Sequence, residues 1–232
     1  MMPDRSTGPR RRAAAIGVLV AIAILPRAAD AQTYPRGRSF EIGGDGVWIG
    51  GSALGATKAT ETRNQTGSDR LTLFEAGGRL KSAAGVRARV GINLTSVVGI
   101  EAALTYSRPS IVTSISNDFE GAPSGTIGTS PLAQYFADVG VILHMTTLRV
   151  SRSVPFVTAS AGYLRQLTAD PAVAETGRVY HVGGGLKQML TAGERLGLRF
   201  DARLGVRDGG LALGGRTRRP FFVASAGVFA VF

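Results

Sequence analysis

The sequence has no cysteine. That excludes a disulfide framework, a thiolate metal site and a lipid-modified cysteine. Long apolar runs are scarce as well. The longest, residues 13–25, holds 13 apolar or glycine residues, against the roughly 20 that a membrane-spanning helix needs. No later stretch reads as a transmembrane helix either. Histidine occurs twice, as His144 and His181, and neither has a serine beside it that would make a nucleophile and base pair. The stretch "GGDGVWIGG" is glycine-rich but lacks the G-x-G-x-x-G spacing of a phosphate cradle. No cofactor, metal-ligand set or catalytic residue is expected from such a sequence. The last twelve residues, "FFVASAGVFAVF", lack charge and turn signals, whereas a typical chain end is polar and loosely held.

What is present is glycine and basic charge. Hydrophobic residues make up 44% of the chain, broken into short pieces by 32 glycines, which favours strands over helices. The formal net charge is +11, a balance that suits nucleic acid or an anionic membrane surface. Part of it sits in residues 1–31, where Arg10, Arg11 and Arg12 precede the apolar run and "AADAQ" follows Pro26. A basic segment, a short apolar core and an A-x-A site describe a secretory signal peptide. Cleavage is expected after Ala31, leaving residues 32–232 as one exported domain. An exported chain seldom meets nucleic acid, and no basic-aromatic module is present.

The exported part alternates. In "GVRARVGINL", residues 85–94, Val86, Ala88, Val90, Ile92 and Leu94 fall on one face and Arg87, Arg89 and Asn93 on the other. That is the period of a strand with one apolar and one polar face. "GIEAALTYS" repeats it after "TSVV", so the two read as a hairpin. The pattern recurs in "FEIGGDGVW", "YFADVGVILH", "FVTASAGY", "YHVGGGLKQML", "LGLRFDARLGV" and the closing stretch, making eight strands. "LTLFEAG" also alternates, so the second strand could begin near residue 71 and bend at Gly77, Gly78 or Gly85. Connections at 95–98, 145–155 and 191–195 are short; those at 55–72, 108–131, 167–177 and 208–219 are longer and polar. Short turns at one end and long loops at the other suit an eight-stranded antiparallel up-and-down transmembrane β-barrel of the bacterial outer membrane.

Which face points outward separates that reading from a soluble sandwich, whose apolar face would be inside. The polar faces carry the acids Glu41, Asp45, Glu101, Asp138 and Asp201 and the bases Arg87, Arg89, Lys187, Arg199 and Arg203. Five oppose five, although the chain as a whole is far from neutral. Solvated charge needs no such balance, but charge in a narrow lumen does, because an unpaired buried ion costs several kcal/mol. The ten are therefore expected to form a lumen network, with glycines on the same faces leaving room for the arginines. Trp48, Tyr106, Tyr135, Tyr163, Tyr180 and Phe222 are candidates for aromatic girdles at the two membrane interfaces.

At this point the chain resembles the small eight-stranded outer-membrane barrels of the outer membrane protein A type. The resemblance runs from about Phe40 to Phe232 and rests on "RVGINLTSVVGIEAALTYS", "PFVTASAGYL", "HVGGGLKQML…ERLGLRFDARL" and "GVFAVF". It implies location in the outer membrane and contact with its lipids and lipopolysaccharide. It also implies that Phe232 acts as a sorting signal for the barrel-assembly machinery, in a variant form, because Ala230 stands where a second aromatic is common. Arg216, Arg218 and Arg219 in "GGRTRRP" are either a solvated loop or a contact for lipopolysaccharide phosphates. At eight strands the interior is filled by side chains. The expected role is therefore non-enzymatic, structural or surface-interacting through the long loops. A narrow channel for ions or small apolar solutes is one alternative, and a lipid-modifying enzyme is another.

Overall fold

The computed structural model describes residues 34, 35, 37–60, 72–121, 123–168, 174–190, 195–214 and 218–232. The expected leader, residues 1–31, lies outside them, as does Arg216. Eleven strands are present among the described residues: β1 (Ser39–Ile49), β2 (Ser52–Thr60), β3 (Thr72–Leu80), β4 (Ala83–Asn93), β5 (Val98–Ser107), β6 (Ser110–Ser116), β7 (Gly125–His144), β8 (Ser153–Thr168), β9 (Ala174–Met189), β10 (Leu196–Gly209) and β11 (Arg218–Val231). One 3-10 turn, Thr146–Leu148, lies between β7 and β8.

Eight of the strands close a ring in the order β1-β4-β5-β7-β8-β9-β10-β11, every pair antiparallel. The seam is β1 against β11, from Glu41 opposite Val231 to Ile49 opposite Val223. Phe40 and Phe232 exchange both backbone hydrogen bonds, at 3.0 and 2.9 Å. "FFVASAGVFAVF" is thus the closing staple of the ring. Closure satisfies every ladder N–H and C=O within the sheet, which hydrocarbon surroundings demand.

Three strands do not belong to the ring. β2, β3 and β6 pair with one another and with the first half of β7, in the order β2-β3-β6-β7. They continue β1, β4 and β5 beyond kinks at residues 50–51, 81–82 and 108–109. β7 runs unbroken through the same level: its 125–131 half pairs with β6 and its 132–144 half with β5 and β8. The long segments 55–72 and 108–131, expected as polar loops, therefore carry most of β2, the whole of β6 and the first part of β7, and β3 joins these over the alternating stretch that begins near residue 71. The bend expected at Gly77, Gly78 or Gly85 falls instead at Lys81 and Ser82, where Lys81 N donates to Ser110 O at 2.8 Å. β2 and β6 read "SALGATKAT" and "SIVTSIS". β6 and the part of β2 from Gly55 onward are half-buried or exposed on both faces, so nothing there imposes a two-colour alternation.

Outside the ring wall lies an apolar belt. Leu104, Leu204, Val86, Val182, Val139 and Val228 are all exposed, Leu104 by 65%. The same ten polar-face ions named above are all buried, with Arg199 at 0%. This is the inverse of a soluble barrel, and it excludes the sandwich reading, because so continuous a belt of exposed large side chains is stable only against lipid.

The aromatics differ from expectation. Trp48, Tyr106, Tyr135, Tyr163, Tyr180 and Phe222 all sit in the loop-side half of the ring, and four of them touch in pairs, Trp48 with Phe222 (6.1 Å) and Tyr106 with Tyr135 (5.0 Å). They form one girdle rather than two. Phe40 and Phe232 are the exposed aromatics at the short-turn end of the ring.

Candidate functional site: a layered lumen

The lumen is built in layers, because each strand contributes one inward residue per two positions and the ring stacks them at successive heights. At the short-turn end Tyr34, which precedes β1, enters the barrel and packs with Val154, Met189, Phe229 and Val231. Its hydroxyl donates to Glu41 Oε1 at 2.6 Å. Asn93 donates to the same oxygen at 2.7 Å, and Lys187 Nζ donates to Glu41 Oε2 at 2.6 Å. The ammonium of Lys187 also lies 3.2 Å from His144 Nε2 and 5.4 Å from the centre of the Phe229 ring.

Above this floor lies the ionic layer. Arg89 grips Asp45 with two bonds, Nε to Oδ2 at 2.5 Å and Nη2 to Oδ1 at 2.7 Å. Arg199 pairs with Glu101 through both terminal nitrogens and reaches Asp201 at 3.1 Å. Arg203 bonds Asp201 at 2.8 Å and Glu101 at 3.3 Å, and lies 3.9 Å from Asp138. Arg87 donates to Thr105 Oγ1 at 3.0 Å and stands 3.8 Å from Asp201. Ser225 completes the shell of Asp201 at 2.9 Å. Every cation in the layer thus has a carboxylate in reach, and several bonds are bidentate, the geometry in which guanidinium and carboxylate match best.

Glycine makes the room. Across the ladder from Asp45 is Gly227, from Arg89 Gly43, from Asp138 Gly162, from Asp201 Gly185 and from Arg203 Gly183. A Cβ on Gly43 would stand 2.9 Å from Arg89 Nη2, and one on Gly183 would stand 2.7 Å from Arg203 Cα. Both are closer than side-chain carbons approach, so any larger residue would push the arginine or the strand aside.

A second apolar layer closes the loop end of the lumen: Val47, Ile49, Phe136, Leu164, Val179, Phe221 and Val223. Phe136 and Phe221 stack at 5.9 Å with planes 9° apart, and His181 stands edge-on to both. Beyond them Leu54, Leu80 and Leu132 form a cap with Ile111 and Leu211 against it, tying the extension to the barrel mouth. Gln134 and Gln166, bonded at 2.9 Å, lie buried near it, and Leu211 N donates to Gln166 Oε1 at 2.9 Å.

The histidines are spread apart. His144 belongs to the floor. His181 faces Ser160 across the β8–β9 ladder, with Nδ1 3.5 Å from Oγ. The expectation for the basic loop is corrected in part. Arg218 is exposed and bonds Asp208 at 3.4 Å, but Arg219 turns inward and donates to the carbonyls of Leu211 and Gly209. It alternates with Arg218 on β11, so the two cannot share a face. Buried residues that the sequence reading does not single out include Tyr34, Phe136, Phe221 and Arg207. Arg207 is found by extending the inward series Arg199, Asp201, Arg203 beyond Val206, since the strand runs on to Gly209.

An apolar belt around a closed antiparallel ring with charges inside defines the class: this is a small eight-stranded outer-membrane β-barrel. Solved structures share the fold. The outer membrane protein OprG from Pseudomonas aeruginosa aligns over 85% of this chain and 97% of its own, with TM-score 0.51 and 12% identity. Neisserial surface protein A aligns over 83% and 97%, with TM-score 0.51 and 16% identity. No protein-family model matches the sequence, and no curated protein matches it.

Proposed function

We propose that this protein is a non-enzymatic outer-membrane barrel with a closed lumen, whose work is done outside the membrane by the β2-β3-β6-β7 extension and the neighbouring loops, as an envelope component that presents a surface for interaction. The observation that carries this reading is the stacking of an ionic layer between two apolar layers, with a leucine cap above. A channel needs a continuous polar path, and here the Phe136–Phe221 stack and the Tyr34 floor interrupt it. An enzyme needs a reactive group that substrate can reach, and both histidines are buried within these layers. The reading carries two further proposals. Phe232, paired to Phe40 and exposed on the lipid side, is the residue read during assembly. Arg218 is the remaining described arginine of its loop able to meet a lipopolysaccharide phosphate.

Purified barrel in planar bilayers is expected to give no unitary conductance at moderate voltage. Stable, reproducible single-channel steps would overturn the closed-lumen reading in favour of a channel. Deleting Phe232 is expected to leave export intact and reduce the folded, heat-modifiable band of the outer-membrane fraction; an undiminished band would remove its role as a signal.

A further inference from the structure

The loop end of the lumen holds a pair of cations that the chain does not balance among its described residues. Arg207 on β10 and Arg219 on β11 are register partners. Both are buried, with 2% and 6% of their surface exposed. Register partners on one face of an antiparallel pair stand about 5 Å apart at Cβ, and like charges so placed repel each other. Arg207 donates from Nη1 to Ser52 Oγ at 3.3 Å, and its guanidinium lies 4.2 Å from the centre of the Phe221 ring. Its Nε and Nη2 have no partner among the described residues, nor does Nε of Arg219. Below, by contrast, Arg87, Arg89, Arg199 and Arg203 of the ionic layer and Lys187 of the floor each have a carboxylate within 3.8 Å.

The two unpartnered nitrogens of Arg207 are informative as a pair. Nε and Nη2 form the side of the guanidinium that grips two oxygens of one carboxylate or phosphate at once. Ser52 holds the opposite side, so the fork is oriented. An uncompensated buried cation costs several kcal/mol, and two side by side cost more. We propose that Arg207 and Arg219 form a binding site for a small oxyanion, a phosphate or carboxylate group, taken from solution. Arg207 supplies the fork, Arg219 the second charge, and Ser52 is a positioning residue. Enclosure between the Phe136–Phe221 layer and the Leu54–Leu80–Leu132 cap suits a free ion better than a phosphate attached to lipid A.

The test is thermal unfolding of the full folded chain in lipopolysaccharide-free detergent, titrated with inorganic phosphate against chloride at constant ionic strength. The midpoint is expected to rise and saturate, as linkage to a single site requires. Phosphate also stabilises proteins generally by exclusion from their surface, but that effect does not saturate. Arg207→Gln is expected to abolish the saturable part and keep the linear part. Arg207→Lys keeps the charge and loses the fork, and should weaken the apparent affinity at least about tenfold. Ser52→Asp places a carboxylate beside Arg207; it is expected to raise the midpoint in chloride alone and to remove the saturable response. It decides the matter even if Arg207→Gln does not fold. The proposal is overturned if the unaltered chain shows no saturable rise, if Arg207→Gln or Ser52→Asp keeps it, or if added lipopolysaccharide is the only source of phosphate that produces it.

Discussion

Two levels of one lumen solve the same problem differently. In the middle of the barrel Arg199, 0% exposed, meets Glu101 and Asp201 and has Arg203 as a neighbour in the same network. A few residues further along the same strand, Arg207 is as deeply buried and meets a serine hydroxyl, two aromatic rings and another arginine across the ladder. Strand, residue type and burial are shared; the neighbours differ. Counting charges along the inner faces gives five acids against five bases only when the strands are cut short at Val206 and Phe221. With Arg207 and Arg219 included, the balance holds in the middle layer and fails at the loop end. Charge compensation in a narrow barrel is a property of each layer, because the apolar layer of Phe136 and Phe221 separates one level from the next and a carboxylate below it cannot serve a cation above it.

Substitutions can break this contrast. The largest effect is expected from Asp201→Ala, which strips a shared acceptor from Arg87, Arg199, Arg203 and Ser225. Leaving buried cations uncompensated is worth about 3–5 kcal/mol, to be read from urea unfolding of the refolded barrel in lipid vesicles. A smaller loss, about 1–3 kcal/mol, is expected from Gly183→Ala, because the new methyl group meets the Ala202 carbonyl as well as Cα and Cγ of Arg203 and must push the neighbouring strand aside. Arg218→Ser should change unfolding by no more than about 0.5 kcal/mol, since this arginine is exposed and its ion pair with Asp208 is long. A loss as large as that of Asp201→Ala would mean that the loop, rather than the lumen, holds the barrel together.

The wall of the barrel was legible because lipid outside and charge inside impose a two-colour alternation, and the period of two survives any barrel tilt. That alternation also puts the ten ions of the floor and the middle layer on the inward side. It could not reveal the extension, because β6 and the part of β2 from Gly55 onward are half-buried or exposed on both faces and need no contrast between them. Nor could it reveal the apolar layers. Val47, Ile49, Phe221 and Val223 are inward residues that match the outward ones in character, so at those heights both colours are the same. Tyr34 lies before the first alternating stretch and reaches Glu41 from outside any strand. Arg219 falls at the end of the polar connection 208–219, and Pro220 directly after it hides the fact that β11 already begins at Arg218.

The most direct test is one substitution made at two heights. Arg199→Met and Arg207→Met remove the same guanidinium and leave an unbranched apolar chain in place of the arginine stem, and both are compared by urea unfolding in vesicles, in low-salt chloride without phosphate. Arg199→Met is expected to lose about 3–5 kcal/mol, because Glu101 and Asp201 are left buried and short of a partner. Arg207→Met is expected to be neutral or stabilising, because it removes a cation that has no carboxylate. Equal losses at the two positions, or a larger loss at Arg207, would contradict the account of a balanced middle and an unbalanced loop end.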